Sequence, residues 1–498
     1  MIFFLSFVSG GLTSLALPPA GFMAALCAFA LPLSAACTAQ SPLRSALFLW
    51  YGAWGYFSTS LYWLGSALFA GPEIFVWLLP FVCLGLPAFI ALFWAVPGYI
   101  AAKVASTPMI RLLLLILGLG ISEYLRTILF TGFPWNAPAQ IVMASDTISQ
   151  SAAYIGQHGL NFVIFMVMGA VVCLYQKRGW AALFFIAPAC LVFSIAALRS
   201  FEAPPIARLA DGLPQVRLVQ PNVPQDEKWR AEERDGHLRD MILLSATRLP
   251  VPQLVILPET AIAGRWPTEA ALVRQIARAT TAFDGYLLSG IIRSDASDKA
   301  NRFFNSAVML NHEGRLSGYY DKEHLVPFGE YVPFRGVPFI DAIAGPSDFS
   351  SGQMQPLLRV SPFGAVAVLI CYEVVFPDFL DRQKRQERPD LMVNLTNDGW
   401  FGLTAGPWQH LAQARMRSIE EGIPIMRAAN TGISAGIDGY GRLLGVLPLG
   451  HSGSIDIPVP PALSATFYSQ NRCLGAALII SWLVFGAFFL VKRMKVGQ

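Results

Sequence analysis

Eight apolar runs frame this chain. Seven of them (Ile2–Ala16, Gly21–Ala36, Ser45–Phe69, Ile74–Ile100, Ile110–Phe130, Ser151–Tyr175 and Trp180–Leu198) crowd its first 200 residues, and the eighth, Cys473–Val491, follows a long polar stretch. A helix needs about 20 apolar residues to cross a bilayer, and the longer runs reach that length. Composition agrees: 54% of the residues are hydrophobic and 14% charged, where a soluble domain carries about a quarter charged. The first two runs are short, with Pro18-Pro19 between them. They form either two spans or a shallow re-entrant hairpin, and in both cases the chain returns to its starting side. Met1 is followed directly by apolar residues without a basic segment, so no cleavable signal peptide is expected. The expected order is a seven-helix membrane region over 1–200, a Pro- and Ala-rich linker over 201–213, a polar domain over 214–461, and a C-terminal helix with a basic tail over 462–498.

Basic residues orient this arrangement, because positive loops stay on the cytoplasmic side. With seven spans before the polar region, Arg44, Lys103, Arg111, Lys177 and Arg178 fall on the side of the N-terminus, and Lys492, Arg493 and Lys495 join them. The loops of the other face hold little beyond Arg126. The polar domain is therefore expected outside the cytoplasm. A net charge of +4 with no basic block gives no footprint for nucleic acid. The seven cysteines show neither paired spacing nor a ligand cluster, so no disulfide framework, metal or other cofactor is expected.

The polar region, Pro214–Pro461, is long enough for one α/β domain. Strand-like segments recur at Val216–Val219, Leu254–Leu257, Tyr286–Gly290, Ala307–Leu310, Ala365–Ile370, Leu391–Asn394, Pro424–Arg427 and Ile433–Ile437. Helical patterns lie between some of them, at Arg234–Arg248, Thr268–Phe283 and Trp408–Gly422. That alternation predicts helices layered around sheets. No long-period repeat is visible.

Cys371 is the one cysteine in this region, at the end of the apolar run Ala365–Ile370. A thiol there is carried to the strand's C-terminal edge, where α/β sheets present catalytic groups, although cysteine is also an ordinary small core residue. Spacing alone does not separate these readings. Two further landmarks bear on them. Leu254–Leu257 runs into Pro258-Glu259-Thr260, and Lys322 and Glu330 stand in the turn-rich stretch Tyr320–Glu330. Glu259 beside Cys371 would activate a nucleophile, since the thiolate attacks and the thiol does not. Lys322 would stabilise that thiolate and a developing oxyanion. Each has a plainer reading: a strand-end carboxylate for Glu259, and a solvated charge run for Lys322 in Asp321-Lys322-Glu323. His324 and His410 lack a partner pattern, and structural roles are expected. Glu373, two residues after Cys371, would share its face if the strand continued. Glu123 and Arg126 lie about one helical turn apart and are expected to pair.

The order of Glu259, Lys322 and Cys371, within Pro258-Glu259-Thr260, Asp321-Lys322 and Cys371-Tyr372-Glu373, resembles the nitrilase (carbon–nitrogen hydrolase) superfamily. With flanking membrane helices it is similar to the apolipoprotein N-acyltransferase family. The matching segments are His324–Pro333, Asn397–Gly402, Gln409–Arg417 and, in the membrane half, Gly132–Asn136. The resemblance implies a four-layer αββα sandwich on a base of about eight membrane helices. It implies Glu259 as general base, Lys322 as the oxyanion-stabilising lysine and Cys371 as nucleophile. Glu330, Tyr372 and Glu373 would support the site, and Trp229 would stand near the substrate entrance. The implied acyl donor is a phospholipid, typically phosphatidylethanolamine, and the implied acceptor is the α-amine of a diacylglyceryl-cysteine apolipoprotein. The implied location is the bacterial inner membrane, with the catalytic domain facing the periplasm. Trp400, Phe401 and Trp408 either dip into the membrane interface or pack in the core. A membrane-attached hydrolase would use the same triad with water as second substrate. A transporter with an accessory domain is the third reading, and Glu123 with Arg126 is almost all that a transport path would have to use.

Overall fold

The computed structural model describes residues 1–70, 73–206, 212–246, 252–281, 284–295, 302–333, 348–383 and 387–496. The linker expected over 201–213 falls partly on 207–211, outside the described residues. The chain forms two compact units. One comprises Met1–Ala203, Thr404–Glu421 and Ala465–Gln498, and the other Pro204–Leu403 with Gly422–Ser464.

In the helical unit, four helices among the described residues have the length and composition to cross a membrane: Phe75–Val104, Pro108–Leu125, Ala152–Tyr175 and Gly179–Glu202. Shorter apolar helices cover Ile2–Ala16 and Met23–Thr38. The run Ser45–Phe69 divides into the helix Pro42–Ser60 and a 3-10 segment, Tyr62–Phe69. Small residues let helices touch. A Cβ on Gly10 would sit 1.8 Å from the Gly52 carbonyl oxygen, and one on Gly55 would sit 1.9 Å from that of Phe7. Glu123 and Arg126 pair at 2.6 Å, both 1% exposed. Trp94 Nε1 donates to Glu123 at 2.7 Å, and Arg126 donates to the carbonyls of Phe133 and Trp135.

The helix Gly406–Glu421 also belongs to this unit, although it lies within the polar stretch of the sequence. Buried side chains tie it in. Gln409 Oε1 accepts from the indoles of Trp63 (2.9 Å) and Trp135 (3.1 Å), and Glu420 Oε1 accepts from the Gln157 N–H at 2.7 Å. The aromatic ring of Trp135 lies 5.1 Å from that of His410, which is fully buried.

Among the described residues, the second unit contains thirteen strands: β1 (Gln215–Gln220), β2 (Leu254–Ile256), β3 (Ile262–Trp266), β4 (Tyr286–Ser294), β5 (Phe303–Asn311), β6 (Leu316–Asp321), β7 (Leu358–Val360), β8 (Gly364–Ile370), β9 (Leu391–Thr396), β10 (Ile425–Ala429), β11 (Ser434–Ile437), β12 (Leu443–Leu447) and β13 (Gly453–Pro458). One sheet runs β13-β1-β2-β4-β5-β6 with β3 alongside β4, and the other runs β12-β11-β10-β9-β8-β7. The parallel neighbours β8, β9 and β10 are apolar and buried almost throughout, as strands covered on both faces must be. On the first sheet, alternate residues such as Val219, Val255, Leu287 and Val308 pack under the helices Arg234–Ala246 and Ala270–Thr280. Residues of opposite parity reach the second sheet: Gln220 Oε1 accepts from both the N–H (2.9 Å) and the hydroxyl (2.7 Å) of Ser434 on β11.

The strand-like segments of the sequence all coincide with observed strands. The unpredicted strands are β3, β6, β7, β12 and β13, and four of these are sheet edges. Edge strands carry polar or half-exposed residues that blunt further pairing, so they lack the apolar run that marks a central strand. β12, for instance, has no fully buried position.

Candidate active site

Three chain segments converge in the second unit. Glu259 stands just beyond β2, in a turn where Thr260 takes φ +43°. A Cβ on Gly290 of β4 would lie 2.4 Å from the Pro258 carbonyl oxygen and 2.6 Å from Glu259 Cα, so only glycine lets β4 back this turn. Lys322 directly follows β6, and Cys371 directly follows β8. The β8 strand does not continue through Glu373, which corrects the same-face expectation. Cys371 takes φ +50° and opens a single 3-10 turn, Cys371–Val375. That turn swings Glu373 back toward the strand end.

Lys322, 1% exposed, is held between two carboxylates. Its Nζ lies 3.4 Å from Glu259 Oε1, 3.0 Å from Glu330 Oε1 and 2.9 Å from Glu330 Oε2. Asn305 on β5 joins them, donating to Glu259 Oε1 at 2.7 Å and to Glu330 Oε1 at 2.6 Å. Burial works against the lysine's charge, yet Glu330 and then Glu259 overcome it and hold the ammonium well above its ordinary pKa. Lys322 is therefore a fixed cation and no member of a solvated charge run.

Burial pushes the Cys371 thiol well above its ordinary pKa, and the charges of Glu259 and Asp398 push the same way. Lys322 and a hydrogen bond with the Thr396 side chain oppose them. The resting group is the thiol, so a base must remove its proton as the sulfur attacks. Behind the cysteine, Thr396 donates to Asp398 at 3.0 Å, and Asp398 pairs at 2.6 Å with the fully buried Arg427, which also donates to Asn394. Glu373 accepts from the Tyr320 hydroxyl (2.9 Å) and from the N–H groups of Glu323 (2.7 Å), His324 (3.1 Å) and Ile370 (2.7 Å). It staples the segment bearing Lys322 to the end of β8. Burial raises its pKa to about 8 against the pull of these donors.

Tyr372 is buried, with Phe376 at 5.0 Å and His324 at 5.7 Å between ring centroids. Trp229 is 53% exposed. Two residues of the site escaped the sequence reading. Asn305 carries no signal beyond its place in an apolar strand. Lys228 hides in Asp226-Glu227-Lys228-Trp229-Arg230, a string typical of a solvated surface, yet it is 5% exposed and donates to the Glu259 carbonyl at 3.1 Å and the Thr260 hydroxyl at 2.6 Å. Among the described residues no cluster of three or more His, Cys, Asp or Glu is arranged to hold a metal ion.

Residues 215–460 match the carbon–nitrogen hydrolase family model, and residues 9–170 match the apolipoprotein N-acyltransferase N-terminal domain. Apolipoprotein N-acyltransferase of Rhodopseudomonas palustris is 34% identical over 98% of this chain and 95% of its own. That of Brucella melitensis is 35% identical over 91% and 89%. The chain belongs to the apolipoprotein N-acyltransferase family. Apolipoprotein N-acyltransferases thus supply both halves of the resemblance, and the chain is an N-acyltransferase by class. Among solved structures, a mutant amidase from Nesterenkonia sp. AN1 aligns at TM-score 0.38 and 21% identity over 53% of this chain and 95% of that one. In this family member the carbon–nitrogen hydrolase domain contains the Glu259–Lys322–Cys371 cluster, and the four long apolar helices make the chain a multi-pass membrane protein.

Proposed function

We propose that the protein transfers a fatty acyl chain from a phospholipid to the N-terminal α-amine of diacylglyceryl-cysteine apolipoproteins, through a thioester on Cys371. The observation that carries this reading is the placement of Lys322. One fixed ammonium touches Glu259 and Glu330 and bears on the Cys371 thiol. Glu259 takes the thiol proton as sulfur attacks the ester carbonyl. Lys322 and the Tyr372 N–H hold the oxyanion, each such donor typically being worth a factor of about 10²–10³. Collapse of the tetrahedral intermediate breaks the ester C–O bond, and the proton on Glu259 passes to the departing lysophospholipid. The acceptor amine then loses a proton to Glu259, attacks the thioester and forms an amide, and the thiolate takes the proton back.

Asn305 and Glu330 keep the base and the lysine in register, Glu373 fixes Lys322 relative to Cys371, and exposed Trp229 stands at the entrance. Phosphatidylethanolamine fits as the donor, and the basic loops support an inner-membrane protein whose catalytic domain faces the periplasm. Both substrates are then lipid-anchored and arrive by lateral diffusion.

Intact mass after incubation with phosphatidylethanolamine alone tests the scheme. An acyl-sized increase on Cys371 with stoichiometric lysophospholipid is expected. Lysophospholipid released only when acceptor is added would replace the thioester with direct transfer. Steady release of free fatty acid without acceptor would make the protein a hydrolase.

A further inference from the structure

Lys228 is a buried lysine whose ammonium contacts a carbonyl and a hydroxyl and, among the described residues, no carboxylate. Burying a charge without a paired counter-charge is costly, so the position calls for an explanation. Its surroundings supply one. The loop that bears Lys228 and Trp229 is anchored on the second sheet's side of the sandwich. Asn430, just after β10, exchanges hydrogen bonds with Val223 (3.1 and 2.9 Å), and Asn397 donates to Gln225 at 2.7 Å. From that anchorage Lys228 reaches the turn after β2, on the first sheet. The turn needs holding: Thr260 is left-handed at φ +43°, and Gly290 presses on its back. Lys228 takes one backbone and one side-chain oxygen of that turn, the Glu259 carbonyl and the Thr260 hydroxyl.

We propose that Lys228 is a positioning residue that clamps the Glu259–Thr260 turn to the Trp229 loop, so that the general base is in place only while that loop is seated. The proposal rests on the acyl-transfer reading above. It makes engagement of Trp229 by a lipid substrate felt at Glu259 through one side chain. The ammonium adds positive charge near the thiol, whose other charged neighbours are Glu259, Lys322 and Asp398. A small pocket lined by Val223, Lys228, His237, Ala261 and Asn430 lies beside the lysine.

The test uses the full-length protein in detergent, with phosphatidylethanolamine micelles as acyl donor. K228M should slow single-turnover acyl-enzyme formation by about 10- to 100-fold, the scale of a misplaced catalytic group. The double variant E259Q/K228M should be no slower than E259Q, because the lysine acts through the glutamate. Acylation by K228M within twofold of the natural protein, or a double variant slower than E259Q by the full K228M factor, overturns the proposal. Should K228M fail to accumulate folded, K228A takes its place, with the same expected slowing and the same overturning outcomes. A second readout needs no acyl donor. The rate of Cys371 alkylation by iodoacetamide at about pH 7 should fall in K228M, because a displaced Glu259 no longer takes the thiol proton, and equal rates would overturn the proposal. If the natural protein forms no acyl-enzyme at all, the functional reading fails, while the alkylation rate still decides the role of Lys228.

Discussion

Both units bury ionic groups, and they do so in opposite ways. In the helical unit Glu123 and Arg126 form a closed account of one anion and one cation, with Trp94 and two carbonyls occupying the remaining positions. In the other unit two carboxylates, Glu259 and Glu330, share Lys322, while Lys228 sits nearby on neutral oxygens and a thiol stands among them. A balanced pair has nothing left to exchange. Where the ions are not matched one to one, the Lys322, Lys228 and Cys371 protons are held with affinities that differ from their solution values, which is the condition for acid–base work. The comparison therefore separates an ion pair that builds from an ion cluster that reacts, and mutations should treat the two differently.

The largest effect expected is the loss of Cys371. C371A should abolish acyl-enzyme formation while leaving the fold intact, since the other six cysteines all lie in the helical unit. Intact mass after incubation with phosphatidylethanolamine checks this, and an acyl adduct surviving in C371A would place the nucleophile elsewhere. Next comes the structural pair. E123Q leaves Arg126 buried without its anion and should cost about 3–5 kcal/mol of stability, whereas an apolar double replacement, E123L/R126M, should cost much less or nothing. Thermal melts of the detergent-solubilised protein distinguish these outcomes. Equal losses would show that the pair contributes little beyond its two side chains' packing.

The cluster should lose chemistry as well as stability. K322M leaves Glu259 and Glu330 without their cation and should lower the melting temperature, and turnover per folded molecule should also fall by a factor of about 10²–10³. Loss of stability with turnover per folded molecule preserved would make Lys322 a structural ion like Arg126.

Much of this was legible in the sequence because central elements announce themselves. Fully apolar β8 ends at Cys371, β2 runs out just before Glu259, and Asp321-Lys322 follows β6, so the chemistry-bearing residues stand where strands end. What stayed hidden depends on contacts between distant segments. Lys228 reads as solvated because its neighbours are charged, and only the fold turns it inward. Glu373 was placed by assuming strand geometry, and the left-handed Cys371 reverses the chain instead. The helix Gly406–Glu421 lies within the polar stretch, but its buried Gln409 and Glu420 pair with Trp63, Trp135 and Gln157, from 263 to 346 positions away, and local sequence carries no record of such pairs.

The smallest expected effect concerns Lys228, whose ammonium contacts no carboxylate among the described residues. Burial lowers the Lys228 pKa from 10.5 to about 8, with Glu259 and Cys371 only partly opposing the shift. The unfolded chain then holds this proton up to about pH 10.5, while the folded chain gives it up near pH 8. Between those values the unfolded state binds more protons, so folding stability from this group rises with pH. Below about pH 8 the buried charge works against the fold by its full amount. K228M lacks the titration but also loses two hydrogen bonds, so the sign of its offset at neutral pH is set by their difference. The pH dependence is set by the titration alone. The melting temperature of the natural protein relative to K228M should stay level from pH 6 to about 8 and then climb in its favour toward pH 10.5. A flat difference across that range would mean that Lys228 titrates in the folded protein as it does in water, and hence that it is less enclosed than its contacts with Glu259 and Thr260 require.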